Sequence, residues 1–242
     1  MEQIFNISKW QYLIIQTLAA YRELYSYVQN TNAVRKHIDD RGVHVITEDG
    51  SLLRENSPKI LERFHEMTLV DLKEAMAIYS RQMVVTSITY FEAMLKEFFF
   101  TLFSKYPKRM YEYVLPPDAK HSKGYVSLSE ILECQNLNKL LANLSERAAS
   151  NVVKGTPQKI ISKTEKLAKV SIDKNLTSQL DQLHQIRNKI VHESLHPDVS
   201  YDDVIQSIDV VFEFLRALGK ACVEANIPYD DPGNLLSDRP FL

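Results

Sequence analysis

Apolar residues recur along this chain mostly at steps of three and four, the spacing of one face of a helix. Trp10, Leu13, Ile14, Thr17, Leu18, Tyr21, Leu24, Tyr25 and Val28 keep that rhythm and predict a long amphipathic helix, which dies in the polar run Gln29 to Asn32. Between Val43 and Leu53 the rhythm changes. Val43, Val45 and Thr47 alternate and Asp49-Gly50 is a turn pair, so a short hairpin is expected near residues 43–53. Ser57-Pro58 then reads as a helix start, with Ser as N-cap and Pro at the first helical position. Thr68 followed by Asp71 offers a second capping signal, and the pattern stays helical to Tyr106, where Pro107 ends it. The stretch Tyr90 to Phe100 is apolar on more than one face and belongs to a central core helix.

Pro116-Pro117 to Gly124 reads as a loop, after which Leu128, Ile131 and Leu132, then Leu137, Leu140, Leu141 and Leu144, restore helical spacing. Gly155-Thr156-Pro157 separates this from a lysine-rich helix, Gln158 to Val170. A helix from Leu176 to Val191 follows, and Ser200 with Asp203 caps a last one reaching Val223. The expected fold is all-α, an antiparallel multi-helix bundle with one short hairpin. Its expected organisation is an N-terminal helix and hairpin over residues 1–67 packed on a main helical domain over 68–226, with an irregular tail over 227–242.

Two charged residues break the apolar pattern. At roughly 100° per residue, Leu176, Leu180, Leu183, Ile186, Ile190 and Val191 form one continuous arc, and Arg187 falls in the middle of it. His184, Asn188 and His192, each four residues from the next, line the adjoining polar edge. A guanidinium does not shed its charge, and an unpaired one in an apolar setting costs several kcal/mol or more. So either the arc faces a crevice or a partner chain, or a carboxylate waits for Arg187; an arginine that snorkels to water is the plain alternative. Glu92 is the second anomaly, lying between Val85 and Ile88 on the arc that also holds Phe91, Leu95 and Phe99. One reading has Glu92 and Arg187 facing each other, directly or across a dimer seam. The other has Glu92 at the edge of its arc, reaching water.

Composition narrows the function less than the pattern does. The chain of 242 residues is 45% apolar and 25% charged, an ordinary globular balance, and its 6 glycines suit a helical protein. The formal net charge of −2 gives no global pull toward nucleic acid or membrane. The distribution is uneven, however: bases dominate from Arg147 to Lys174, and acids dominate from Glu193 onward. Cys134 and Cys222 have no metal-ligand or disulfide-framework spacing. His37, His44, His65, His121 and His196 likewise lack ligand spacing, and no glycine-rich phosphate loop occurs, so no metal and no cofactor are expected. With no basic leader and no run near the roughly 20 apolar residues of a membrane span, a cytoplasmic protein is expected.

The segment Arg187-Asn188-Lys189-Ile190-Val191-His192 resembles the HEPN superfamily, small helical domains whose ribonuclease members carry Arg-x(4–6)-His near the start of a late helix. The preceding long helix with Phe91-Glu92-Ala93-Met94-Leu95, and the following one from Tyr201-Asp202-Asp203, look like HEPN neighbours. The resemblance covers roughly Thr68 to Asn226. It implies a homodimer whose motif helices meet at the two-fold axis, with two Arg/His pairs in one cleft. It also implies metal-independent RNA cleavage, in which the ribose 2′-OH attacks the adjacent phosphate and leaves a 2′,3′-cyclic phosphate. The chemistry suits the residues. Histidine shuttles protons near neutral pH, and the arginine fork matches phosphate oxygens and steadies the charge that builds on phosphorus.

On that reading Arg187 and His192 are catalytic, Asn188 positions the 2′-OH or the phosphate, and Glu92 holds Arg187 in its productive rotamer. HEPN toxins paired with a minimal nucleotidyltransferase carry a modifiable tyrosine two residues after the His. Here Ser194 stands at that position, so an antitoxin or regulatory protein of another kind, or none, is expected. A bacterial toxin or phage-defence effector lies within the family's range. Lys159, Lys163, Lys166 and Lys169 fall within a narrow arc and are read as an RNA-binding stripe. Lys105, Lys108, Arg109, Lys120 and Lys123, with Tyr106, Tyr111 and Tyr113 for base stacking, form a second basic region. The plain alternative for both is a solvated surface. The alternative for the whole chain is a non-catalytic HEPN-type dimerisation or partner-binding module.

Overall fold

Helix periodicity dominates the three-dimensional structure as it does the sequence. The computed structural model describes residues 3–55, 57–114, 126, 128–134, 136–193, 195–232 and 234–236. A two-residue strand β1 (Phe5–Asn6) leads into α1 (Ile7–Gln29), followed by α2 (Thr31–Arg41) and the strands β2 (His44–Ile46) and β3 (Leu52–Arg54). The 48-residue α3 (Pro58–Lys105) ends in a 3₁₀ turn at Pro107–Met110. Then come α4 (Leu128–Glu133), α5 (Leu137–Val152), α6 (Pro157–Ala168), α7 (Lys174–Val191), α8 (Tyr201–Glu224) and β4 (Tyr229–Asp230). The all-α bundle expected from the pattern is what the chain forms.

The helix ends have local causes. Asn6 accepts from the backbone N–H of Lys9 at 2.8 Å, Asn30 from Ala33 at 3.1 Å and Asn136 from Lys139 at 2.9 Å. Ser200 and Asp203 form both halves of a capping box, with bonds of 2.9 and 3.1 Å, as their spacing predicts. At α3 the expectation is only partly met. Pro58 does start the helix, but the Ser57 side chain makes no cap bond, so the fixed proline φ alone sets the start. Thr68 and Asp71 cap nothing, because α3 passes through them unbroken. The expected division between residues 67 and 68 therefore falls inside a continuous helix about 72 Å long.

The core is built on the second half of α3. Phe91, Met94, Leu95, Phe98, Phe99, Leu102 and Phe103 are all buried there. They are enclosed by α1, α5, α7 and α8. Phe91 meets Phe214 of α8 with ring centroids 4.7 Å apart, and the Ser87 and Ser207 hydroxyls pair at 3.0 Å in the same seam. β1 and the first helix belong to this core, β1 through Phe5 and α1 through Ile7, Trp10 and Tyr21. Glu97 fixes the start of α1, accepting from the Asn6 N–H at 2.9 Å and pairing with Lys9 at 2.7 Å. A smaller cluster of Val34, Ile38 and Val43, backed by Leu61, Leu69 and Leu72, joins α2 and the hairpin to the first half of α3.

The hairpin forms where expected, with β2 and β3 antiparallel in the register His44↔Arg54, Val45↔Leu53 and Ile46↔Leu52. Gly50 takes φ +83° in its turn, a conformation that glycine adopts without strain. A second, parallel pair joins β1 to β4, matching Phe5 with Tyr229 and Asn6 with Asp230. Two-residue strands leave no period to read, so this clasp has no signature in the pattern. Among the described residues no helix is long and apolar enough to cross a membrane.

Candidate active site

The motif helix is anchored at one end and open at the other. Asp173 caps α7 by accepting from the Asn175 N–H at 3.0 Å, and Leu176, Leu180 and Leu183 are buried in the core. Past Leu183 the same apolar arc rises to the surface. Ile186 still packs on the core, Arg187, Asn188 and Ile190 are half-buried, and Val191 is 44% exposed. His192 stands in the C-cap position, exposed, its N–H donating to the Asn188 carbonyl at 2.9 Å. Within one chain the arc around Arg187 therefore reaches the surface half-buried, which excludes a sealed apolar core and fits both the crevice-or-partner alternative and an arginine that snorkels to water.

The motif side chains form one hydrogen-bonded string. Arg187 Nη1 donates to His192 Nε2 at 2.8 Å and to Asn188 Oδ1 at 3.2 Å. Asn188 Nδ2 lies 3.2 Å from His184 Nδ1. A guanidinium only donates, so the His192 Nε2 it faces presents its lone pair, and the amide oxygen is the Asn188 atom turned toward Arg187. Arg187 and His192, five residues apart, meet at the last turn of α7, where the C-cap His192 still keeps right-handed helical dihedrals (φ −102°, ψ −30°).

Glu92 enters by another route than the expected one. It is half-buried on α3 beside the sealed Phe91, yet among the described residues no ion pair within 4.0 Å joins it to Arg187. Its charge acts on His184. Burial lowers the His184 pKa from the ordinary histidine value. The Glu92 carboxylate opposes that lowering, and the nearby Arg187 guanidinium adds to it. His184 is thus the site member that the reading of catalytic residues left out. Its signal was its place four residues before Asn188, one helical turn away.

The lysines divide. Lys159 and Lys166 are exposed on α6, and Lys166 lies 3.6 Å from Glu112. Lys169 sits past the helix end in a left-handed conformation with φ +62°, so it leaves the line of the other three. Lys163 turns inward: its Nζ donates to the Val152 carbonyl at 2.9 Å and the Lys154 carbonyl at 3.1 Å, tying the end of α5 to α6. Burial, then the neighbouring charge of Lys159, lowers its pKa. Lys163→Met is therefore expected to destabilise the fold by about 1.5–3 kcal/mol, the scale of hydrogen bonds to a charged group. Lys159→Met, exposed, should leave the denaturation midpoint within about 0.5 kcal/mol of the parent. Equal midpoints for the two variants would assign Lys163 to the surface instead.

The second basic region is largely committed to the fold as well. Lys105 donates to the Asn226 carbonyl, Arg109 to the Leu167 carbonyl at 2.8 Å, and the Tyr106 hydroxyl to the Ala225 carbonyl at 3.1 Å. Tyr113 stacks on Phe103 with centroids 6.2 Å apart, and only Tyr111 is broadly exposed. Lys120, Lys123 and the expected loop at 116–124 lie outside the described residues, as does Ser194.

The model of the family described as RiboL-PSP-HEPN matches residues 56–224, from just before α3 to the last residue of α8, and the chain belongs to that HEPN family. Neither the curated proteins nor the solved structures gave a match to it.

Proposed function

We propose that this chain is a metal-independent endoribonuclease of HEPN type that works in the cytoplasm as a homodimer. The observation that carries the proposal is the 2.8 Å contact between Arg187 Nη1 and His192 Nε2 at the open end of α7. It sets a permanent cation beside an imidazole lone pair at a solvent-exposed helix end. In the reaction the 2′-oxygen forms a bond to phosphorus and the bond to the 5′-oxygen breaks, leaving a 2′,3′-cyclic phosphate. One imidazole takes the 2′-hydroxyl proton and another gives one to the leaving oxygen, a division that two Arg/His pairs in one cleft supply. The guanidinium steadies the extra charge on the phosphate oxygens. Membership of a HEPN family and the uncovered apolar end of the motif helix, with Val191 and Leu195 both exposed, support a two-fold assembly there. The same exposed apolar residues favour the second reading, a dimerisation module without cleavage.

The test is direct. Purified protein is incubated with single-stranded and structured RNA, with and without chelator, while sedimentation records its mass. Dimeric protein, products ending in cyclic phosphate and rates unchanged by chelator are the expected result. A dimer that leaves all RNA intact would favour the module reading, and a solitary chain at high concentration would remove the shared cleft. As a toxin or defence effector held by a regulatory protein, the parent should arrest bacterial growth when expressed alone, whereas His192→Ala should not.

A further inference from the structure

We infer that His184 is a positioning residue for Arg187, acting through the Asn188 carboxamide as a proton-controlled latch on the catalytic string. The inference rests on the ribonuclease reading for its consequence in activity, but its structural half stands on geometry alone.

Donor and acceptor chemistry fixes the arrangement. Asn188 has one carbonyl oxygen and one NH₂, and both are in use. Its Oδ1 receives Arg187 Nη1 at 3.2 Å and its Nδ2 faces His184 Nδ1 at 3.2 Å. Since Arg187 has no lone pair to offer, the amide has a single compatible orientation: oxygen to Arg187, nitrogen to His184. His184 Nδ1 must then carry a lone pair, which places the ring proton on Nε2. Adding a second proton at Nδ1 sets an N–H against the amide NH₂. The amide resolves that clash by turning over, and its NH₂ then faces the guanidinium. Arg187 loses its acceptor and is left with His192 alone. The charge on one imidazole thereby controls the aim of a cation three residues away.

The surroundings bias the latch toward its closed, neutral state. Burial of the half-sunk ring disfavours its charged form, and Arg187 and His192 on the same helix act in the same direction. Glu92 from α3 and Asp181 from α7 oppose them. The sign is that of a histidine with a lowered folded-state pKa. The contribution of the neutral ring to stability is full above the unfolded value near 6.5, and it is lost as the pH falls through the lowered folded value. This gives a role to Glu92, which does not pair with Arg187. Its carboxylate counters part of the lowering that burial imposes on His184.

Two measurements on the full chain test this. The first is nitrogen NMR of the imidazole and side-chain amide through a pH titration. The expected result is a neutral His184 carrying its proton on Nε2, and Asn188 amide signals that move with the titration of His184, in the parent and in His192→Ala alike. An Nδ1–H tautomer, or an Asn188 amide indifferent to His184, overturns the inference whether or not the protein cuts RNA. The second is the pH–rate profile of cleavage. His184→Asn puts a carboxamide oxygen at the position of Nδ1, so it keeps an acceptor for the Asn188 NH₂ but cannot be protonated; it should retain the parent rate within a few-fold and lose the part of the acid limb due to His184. His184→Ala should lower kcat by about ten- to a hundredfold, the scale of a misaligned catalytic group, with KM little changed. An asparagine variant with the parent's acid limb, or one as impaired as alanine, refutes the latch. A parent that cuts no RNA at all sinks the ribonuclease reading and leaves the NMR result to decide this one.

Discussion

Arg187→Ala is expected to slow RNA cleavage by about 10²–10³-fold, the loss seen when one preorganised stabiliser of developing charge is removed. His192→Ala should cost about 10²–10⁴-fold, the range for a positioned proton-transfer group. Because the two side chains touch at 2.8 Å and act on one phosphate, the double variant should fall far short of the product of the two losses. Neither substitution should unfold the protein, since Arg187 is only half-buried and His192 is exposed. Arg187→Lys sharpens the test. Lysine keeps the charge but lacks the planar fork that can grip two phosphate oxygens while Nη1 stays on Asn188 and His192, so it should rescue little of the activity. The measurement is single-turnover cleavage of a labelled oligonucleotide, with circular dichroism and sedimentation run on every variant. Variants that cut at the parent rate, or that lose the dimer before they lose cleavage, would move Arg187 from catalysis to the interface.

That pair was legible because it violates a rule. A charged residue in the centre of an apolar arc is conspicuous in a single sequence, and the four-residue spacing of His184, Asn188 and His192 marks a polar edge on any helix. Helix type was legible for the same reason: long segments with period 3.6 leave many residues to agree with one another. Charge destination was less so. Arc geometry places Glu92 on an inner face of α3, but which of several cations on α7 it faces depends on how two helices cross, a relation that neither sequence contains. Lys163 shows the same limit. Its helical position matches that of Lys159 and Lys166, yet the end of α5 lies against it and takes its ammonium into two carbonyls. A stripe of like charges on a helical projection holds only while nothing packs on part of it. The second cap on α3 failed through a different cause. Thr68 and Asp71 match a start signal, but continuing the helix keeps every backbone bond, and Leu69 and Leu72 are needed on its inner side to cover Val34 and Ile38.

Phe91→Ala should be the most damaging single truncation near the site, lowering stability by about 3–5 kcal/mol. The side chain is 1% exposed and sits where α3 meets α8, its ring 4.7 Å from that of Phe214. Removing it deletes the buried area of a whole ring and opens a void between two helices that are tied elsewhere by the Ser87–Ser207 bond and cannot simply close up. Against a typical total of about 5–15 kcal/mol, that loss takes a large part of the fold's margin. The consequence reaches the site, since Glu92 is the next residue on α3 and acts on His184 from there. A shifted α3 turn changes the charge that His184 feels before the protein unfolds. Denaturant titration at fixed protein concentration should show a lower midpoint with an unchanged slope, while Ile78→Ala, 54% exposed on the same helix, stays within about 0.5 kcal/mol of the parent. A Phe91→Ala protein with the parent's midpoint would mean that α8 does not lean on α3 at this ring. The central position of α3 in the core would then have to be redrawn.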